Sequence, residues 1–162
     1  MKIEIRQLME KDMEILLTLR MEVLSHVFAE ERKNMTIAEW EALRDANRHY
    51  YRMELVRAGH IACIALVDGE IAGCGGICFY EEMPSPDNPS GLCGYLMNIY
   101  TRESYRRKGV AKAVCQWLIQ KAKERGAGKI YLETSECGRS LYQSLGFYEM
   151  RDYLKLSADT AK

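Results

Sequence analysis

The sequence lacks both an excess of charge and a long apolar run. Lysine and arginine together number 23, and aspartate and glutamate also number 23. A net charge near zero argues against a dedicated nucleic-acid or membrane-surface binder. No stretch approaches the roughly 18 apolar residues of a membrane span, and the N-terminus has no apolar signal core. We therefore expect a cytoplasmic protein that binds neither nucleic acid nor membrane, in which any positive patch is local.

Metal-binding patterns are also missing. The sequence contains six cysteines but no C-x-x-C pair, and its three histidines are scattered without the spacing of a metal site. We therefore expect no bound metal. The cysteines are interpreted as small core residues of a protein in a reducing cytosol, and Cys137 as a loop residue.

Proline is scarce, and all of it lies in one segment. Pro84, Pro86 and Pro89 fall between Tyr80 and Gly91, which predicts a loop there, either functional or a plain connector. Apolar periodicity predicts strands over residues 2–6, 60–67, 70–79, 96–101 and 129–134. Helical periodicity is found over residues 12–27, 36–59, 110–125 and 139–145.

Short local signals fix several boundaries. Asp68-Gly69 predicts a tight hairpin turn, and Thr36-x-x-Glu39 predicts a capping box at a helix start. The charged run 30–34 is expected to break the helical pattern. Residues 147–156 alternate in polarity, which predicts a closing pair of strands.

The most informative stretch runs from residue 96 to residue 111. An apolar strand is followed by a basic turn, then by Gly109 and an amphipathic helix. The first turn of a helix has unpaired N–H groups and a partial positive charge, and glycine lets a ligand approach the backbone closely. This order predicts an anion site, with a solvated basic surface as the alternative. Neither the G-x-x-x-x-G-K-[ST] string of P-loops nor the G-x-G-x-x-G string of dinucleotide sites occurs.

Two strings together resemble one family. Arg106-x-x-Gly109-x-Ala111 is similar to the (Q/R)-x-x-G-x-(G/A) signature of the GNAT superfamily, the acetyl-coenzyme A-dependent N-acetyltransferases. Leu141-Tyr142-x-x-Leu145-Gly146-Phe147 resembles the string that ends the coenzyme-binding region of these enzymes. The two strings follow in the family's order, with one helix and one strand between them.

The expected fold is a single mixed α/β domain over residues 1–157, followed by a tail at 158–162. Its elements follow the order β-α-α-β-β-β-α-β-α-β(β), in a mostly antiparallel sheet. Strand 4, the next helix and strand 5 are expected to form a parallel crossover. The resemblance implies that strands 4 and 5 splay apart and that the coenzyme lies in the gap.

The resemblance also implies how acetyl-CoA is bound. The backbone of strand 4 should bind the pantetheine arm and the acetyl carbonyl, and the amides of the basic turn should wrap the pyrophosphate. Ser135 stands where many members carry an asparagine, which places the pantetheine contact there in doubt. The expected coenzyme-binding residues are Ile99, Tyr100, Thr101, Arg106, Arg107, Lys108, Gly109, Val110, Ala111, Ser135 and Tyr142.

By resemblance, the reaction is direct attack of a primary amine on acetyl-CoA in a ternary complex. Tyr142 matches the family tyrosine that protonates the leaving sulfur, and Glu133 matches a glutamate proposed as base in some members. A surface role for Glu133 is the alternative. Asn98 stands beside the splay and is expected to position the acceptor or a water.

Three questions stay open from the sequence. The acceptor amine belongs to a small molecule, a peptide or a protein, because one fold serves many substrates. A coenzyme-binding sensor without turnover and a basic-turn nucleic-acid binder are the competing functions, and the neutral net charge disfavours the second. Members of the family are often dimers, so a homodimer is an alternative to a monomer.

Overall fold

The computed structural model describes residues 1–158 of the 162-residue chain. The N-terminal half contains β1 (Ile3–Leu8), α1 (Met13–Val27), α2 (Ala29–Lys33), α3 (Ile37–Val56), β2 (His60–Val67) and β3 (Glu70–Glu81). The C-terminal half contains β4 (Leu92–Thr101), α4 (Val110–Glu124), β5 (Lys129–Leu132) and α5 (Glu136–Ser144). Short 3-10 turns precede α1 at Glu10–Asp12 and follow β4 at Glu103–Tyr105.

Two of the local signals are confirmed. The Glu39 amide donates to Thr36 Oγ1 at 3.2 Å, and the Thr36 amide donates to the Glu39 carboxylate at 2.7 Å, so a capping box begins α3. Asp68 and Gly69 join β2 to β3 with φ angles of 50° and 84°. Positive φ at both turn residues is what a two-residue type I′ hairpin requires.

The five strands form one mixed sheet with the order β1-β2-β3-β4-β5. All neighbours are antiparallel except β4 and β5, which are parallel and are connected through α4. Helix α4 covers one face, where Val110, Val114, Leu118 and Ala122 are buried in the core. Helices α1 and α3 cover the other face through Leu16, Leu17 and Tyr51 among others. The predicted mixed α/β fold with its parallel crossover is confirmed.

Strands β4 and β5 separate partway along β4. Their pairing runs only from Cys93 opposite Lys129 to Leu96 opposite Leu132, while β4 continues to Thr101. At the same point the register between β3 and β4 shifts, so that Asn98 and Ile99 lie opposite the single residue Gly75. Such a bulge bends a strand away from its neighbour. The expected splay is therefore present, and the β5-facing edge of residues 97–101 is left open.

Five expectations about the elements are wrong. Helix α5 begins at Glu136 instead of residue 139, so Cys137 lies in a helix and not in a loop. Residues 29–33 form α2 instead of breaking the helical pattern, because Glu30, Glu31, Arg32 and Lys33 match charges to its two ends. Strand β4 begins four residues before residue 96, at Leu92, and β5 ends at Leu132 instead of residue 134. Residues 147–156 form no strand in the described structure. Glu149 pairs with Arg139 on α5, while the side chains of Tyr153 and Lys155 contact Tyr131 and Glu133. In the described residues the segment is therefore held by side-chain contacts and not by main-chain pairing with β5.

The cysteines lie mostly in the interior. Cys63, Cys74, Cys93 and Cys115 are buried, Cys78 is half-buried and Cys137 is exposed, and all six are free thiols. Over residues 1–158, no helix combines the length and apolarity needed to cross a bilayer.

Candidate functional site

The first part of the candidate site is the open edge of β4. Past Leu96 the strand pairs only with β3, so main-chain groups that would face β5 have no strand partner. Successive side chains alternate across the sheet: Ile99 packs into the core beneath α4, whereas Tyr100 packs toward α1 with its ring 5.3 Å from that of His26. An extended ligand in the gap could therefore bind the backbone of β4 as a further strand would.

The second part is the turn that leads into α4. The first helical main-chain bond runs from the Ala113 amide to the Gly109 carbonyl at 3.0 Å. The amides of residues 107–112 donate to no group in the described part of the chain. Arg107 and Gly109 have φ angles of 60° and 82°, and left-handed residues in such turns aim successive N–H groups to one side. The result is a run of free donors at the positive end of a helix.

The basic side chains of this turn add unpaired charge. Arg106, Arg107 and Lys108 are exposed, and none of them forms an ion pair within residues 1–158. Lys108 Nζ donates to the Ser104 carbonyl at 2.9 Å, and Arg106 Nε donates to the Thr101 carbonyl at 3.4 Å. These bonds use neutral acceptors, so the positive charge stays available to an anionic ligand.

Thr101 links the two parts. Its hydroxyl Oγ1 is enclosed and is the one buried side-chain nitrogen or oxygen without a hydrogen-bond partner in the described residues. An enclosed hydroxyl without a partner costs free energy. Sequence reasoning assigned only the backbone of Thr101 to ligand binding. The unpartnered hydroxyl, which no local pattern reveals, is a further donor or acceptor beside the gap.

Tyr142 lies on the α4 side of the sheet. It is half-buried on α5, with its ring 6.0 Å from the Phe147 ring in an edge-to-face contact. Burial, with a smaller effect of the neighbouring Cys115 thiol on α4, raises the pKa of Tyr142 to about 12. The hydroxyl therefore stays protonated at neutral pH and can serve as a hydrogen-bond or proton donor.

Glu133 lies toward the opposite face. Its neighbour Leu132 packs against the core under α4, so the next side chain points the other way. There, burial and then the Glu133 carboxylate raise the pKa of Tyr95 on β4 to about 12. Glu133 itself is exposed and lies 3.8 Å from Lys155. No hydrogen bond or ion pair joins Glu133 to Tyr142 within residues 1–158.

Ser135 is placed less favourably for coenzyme binding. It occupies the N-cap position of α5, yet its hydroxyl makes no capping hydrogen bond. Instead, Ser135 Oγ lies 3.2 Å from the sulfur of Cys137, and both residues are exposed. The structure therefore places the basic turn directly after Thr101 at the end of β4, and within residues 1–158 the Ser135 hydroxyl forms no hydrogen bond with either.

Asn98 is held in the bulge by a polar chain that crosses three elements. Its φ of 58° is left-handed, a conformation that asparagine tolerates better than most residues. Arg20 on α1 donates from Nη1 to Asn98 Oδ1 at 2.9 Å and from Nε to Asn47 Oδ1 on α3 at 3.0 Å. The sequence patterns did not single out Arg20, which lies within the helical periodicity of residues 12–27. The one available signal was an arginine at an otherwise apolar position.

The arrangement can bind an elongated anion and can donate a proton on one side of the sheet. The free amides and cations suit phosphate groups, the open edge of β4 suits an amide-containing arm, and Tyr142 suits an acid. Within residues 1–158, no group of three or more histidine, cysteine, aspartate or glutamate side chains could hold a metal ion.

Comparison with known proteins agrees with this arrangement. Among curated proteins, the Uncharacterized N-acetyltransferase YsnE of Bacillus subtilis is 34% identical over 105 residues, which are 61% of this chain and 64% of that protein. The Uncharacterized N-acetyltransferase YjgM of Escherichia coli is 34% identical over 98 residues, 59% of this chain and 54% of that protein. The matched part of the chain thus spans less than two thirds of these relatives.

A solved structure matches over nearly the whole length. The predicted acetyltransferase with acetyl-CoA from Clostridium acetobutylicum superposes with a TM-score of 0.79 and 27% identity, covering 96% of both chains. The sequence profile of the Acetyltransferase (GNAT) family matches residues 21–147, which contain the gap, the basic turn and Tyr142. The chain belongs to the GNAT acetyltransferase family.

Proposed function

We propose that the protein is an N-acetyltransferase that moves the acetyl group of acetyl-CoA to a primary amine. The observation that carries the proposal is the run of free amides at residues 107–112, beside the open edge of β4. The solved relative from Clostridium acetobutylicum is described with acetyl-CoA, which supports the same co-substrate here.

The residues present fit acetyl-CoA. The pyrophosphate would accept hydrogen bonds from the amides of residues 107–112, with Arg106, Arg107 and Lys108 adding charge. The pantetheine arm carries amide groups that can pair with β4 along residues 97–101. The enclosed Thr101 hydroxyl would gain the hydrogen-bond partner that it lacks within the protein.

The two faces of the sheet suit the two proton transfers of the reaction. The amine nitrogen bonds to the acetyl carbon while the carbon–sulfur bond breaks, so the amine loses a proton and the thiolate gains one. Tyr142, on the α4 side, would give its proton to the sulfur. Glu133, on the face of α1 and α3, would take the proton of the amine, directly or through water.

Direct attack needs both substrates bound at once. The coenzyme would enter from the side of α4, whereas the acceptor would approach between β4 and the N-terminal helices, where Asn98 lies. Each substrate then has its own entrance, which supports a ternary complex. A sensor without turnover is not favoured, since the chain retains Tyr142 and Glu133 at the positions of the acid and base.

The proposal is tested by replacing Gly109 with valine. Gly109 has a φ of 82° and no atom within 4 Å of an added Cβ, so the new side chain would occupy the space in front of the free amides. We expect Gly109→Val to lose acetyl-CoA affinity by about 100-fold or more, since it removes several charge-assisted hydrogen bonds. Isothermal titration calorimetry with acetyl-CoA measures the affinity.

Gly126→Val is the matched control. Gly126 lies just beyond the end of α4 with the same φ of 82° and the same open surroundings, so the backbone strain is equal in the two variants. Gly126→Val should lose similar stability and keep its affinity for acetyl-CoA. A folded Gly109→Val protein that binds as tightly as Gly126→Val would exclude this coenzyme site. Thiol release with acetyl-CoA and a panel of amines then tests turnover.

A further inference from the structure

Arg20 is a half-buried arginine at the acceptor side of the gap. It projects from α1 and bridges α3 and β4 by donating to the side-chain oxygens of Asn47 and Asn98. Both acceptors are neutral amides. The buried titratable neighbours add no negative charge, because burial and the charge of Arg20 lower the pKa of His60 to about 4, and burial raises the pKa of Tyr51 to about 12.

Arg20 lacks the carboxylate partner that the other half-buried arginines near it have. Arg102 is paired with Glu22 at 2.8 Å, and Arg44 and Arg48 are both paired with Glu14, at 2.8 and 3.0 Å. No carboxylate forms an ion pair with Arg20 in residues 1–158. A charge removed from water without an opposite partner is costly, so the guanidinium is suited to an anion from outside the chain.

One end of the Arg20 side chain is free to make that contact. Nη1 and Nε donate to the two asparagines, whereas Nη2 donates to no group in the described residues. Among the described residues, Thr101 Oγ1 is the single enclosed side-chain nitrogen or oxygen that has no hydrogen-bond partner. Nη2 also has no partner among these residues, so it is not enclosed. It therefore faces accessible space. Since Nη1 lies 2.9 Å from Asn98 Oδ1, that space adjoins the bulge where β4 opens.

We propose that the acceptor carries an anionic group, a carboxylate or a phosphate, close to its amine and that Arg20 binds this group. The inference rests on the proposed acetyl transfer, and it names the substrate class of that reaction. The anion at Arg20 would place the amine next to Asn98 and the open edge of β4. A guanidinium fork suits both carboxylates and phosphates. Acidic amines are thereby selected over polycationic ones.

The test compares pairs of acceptors that have similar shapes and differ in the presence of an anionic group. α-Amino acids are paired with their carboxamides, and aminoalkyl phosphates with the corresponding amino alcohols. A charged hydrogen bond corresponds to a kcat/KM ratio of roughly 10- to 100-fold in favour of the anionic partner. The series with the larger ratio identifies carboxylate or phosphate.

In Arg20→Gln the kcat/KM ratio of anionic to neutral acceptor should fall to about threefold or less, and Arg20→Lys should restore part of it. Arg44→Gln, whose arginine is paired with Glu14, should keep the wild-type ratio.

The outcomes separate the two proposals. If wild-type protein acetylates the charged and neutral partners equally well, the anion site is wrong while the acetyltransferase function stands. If Arg20→Gln slows both partners by the same factor, Arg20 only holds Asn98 in place and the inference fails. If no amine releases thiol from acetyl-CoA, the proposed function fails and the inference with it. Where Arg20→Gln does not fold, the wild-type ratio still tests the anionic acceptor. The ratio of Arg20→Lys, expected to lie below that of wild type, then tests the role of Arg20.

Discussion

Tyr142 has the protonation state that a thiol-leaving reaction requires. Burial holds its pKa near 12, so the phenol is neutral at any pH at which the protein would work. A group of this kind cannot act as a base at neutral pH, but it can protonate a thiolate as the carbon–sulfur bond breaks. Its position on the α4 side also separates it from the Glu133 carboxylate, so the two groups can be tested separately.

Replacing Tyr142 with phenylalanine removes this hydroxyl and little volume. We expect kcat to fall by about 100-fold or more, the usual scale for a positioned acid, with little change in acetyl-CoA affinity. The loss should lie in kcat because the hydrogen bond matters only as the sulfur departs. Steady-state kinetics and calorimetry measure the two quantities. Tyr148→Phe, at a residue that is 87% exposed, is the control and should match wild type. An unchanged kcat with chemistry rate-limiting would make Tyr142 a packing residue.

At the scale of elements, one ion pair fastens α1 to the end of β4. Arg102 donates from Nε and Nη2 to the two oxygens of Glu22 at 3.0 and 2.8 Å, and from Nη1 to the Ile71 carbonyl at 3.1 Å. The hydrogen bond from Arg102 is the main cause that lowers the pKa of Glu22 below its ordinary 4.5. This bidentate pair lies just before the basic turn and holds the start of that turn against α1 and β3.

Glu22→Gln should destabilise the protein by about 1–3 kcal/mol at neutral pH, the range for a hydrogen bond between charged groups. Because the folded-state pKa of Glu22 is depressed, its contribution is present above 4.5 and is lost as pH falls through the folded value. The difference between wild type and variant should therefore shrink in acid. Urea unfolding at neutral pH and well below 4.5 measures it. Glu124→Gln, at an exposed helix pair, should change the free energy of unfolding much less than Glu22→Gln. A difference that does not change with pH would contradict the assignment.

The sequence could predict those features of the fold that a few adjacent residues determine. The type I′ turn at Asp68-Gly69 and the capping box at Thr36 each depend on a few adjacent residues. The closing strands at 147–156 failed because alternation shows which side chains share a face and does not supply a partner strand. Whether that segment pairs with β5 depends on contacts such as Arg139 with Glu149, which periodicity does not reveal.

The residues of the candidate site also differ in whether a local string or long-range packing brings them into the site. Arg106, Gly109 and Tyr142 belong to short strings, so the sequence alone could name them as candidates. Arg20 and Asn98 are 78 positions apart, and their hydrogen bond exists only after α1 packs across the sheet. The enclosed hydroxyl of Thr101 likewise depends on packing around the end of β4.

The whole molecule has a balanced charge with a local positive turn. Its 23 basic and 23 acidic residues give a formal net charge of zero, while Arg106, Arg107 and Lys108 form no ion pair within residues 1–158. Salt screens exposed charges over about 10 Å at 0.1 M, so it should weaken the side-chain contribution to coenzyme binding. Hydrogen bonds from the main-chain amides are fixed dipoles at close range and should persist in salt.

Acetyl-CoA affinity should therefore fall by about tenfold or less between low and high salt, whereas duplex DNA binding, which depends on counterion release, would fall by roughly a thousandfold or more. Calorimetry in about 50 mM and about 500 mM sodium chloride measures the first quantity. Fluorescence anisotropy with a labelled duplex measures the second. The Arg106→Gln, Arg107→Gln double variant should bind more weakly at low salt and show a flatter salt dependence, because the remaining contacts come from the backbone. Tight duplex binding at physiological salt would favour a nucleic-acid function for the basic turn. If the acetyl-CoA affinity of the double variant still depends steeply on salt, the coenzyme phosphates bind elsewhere.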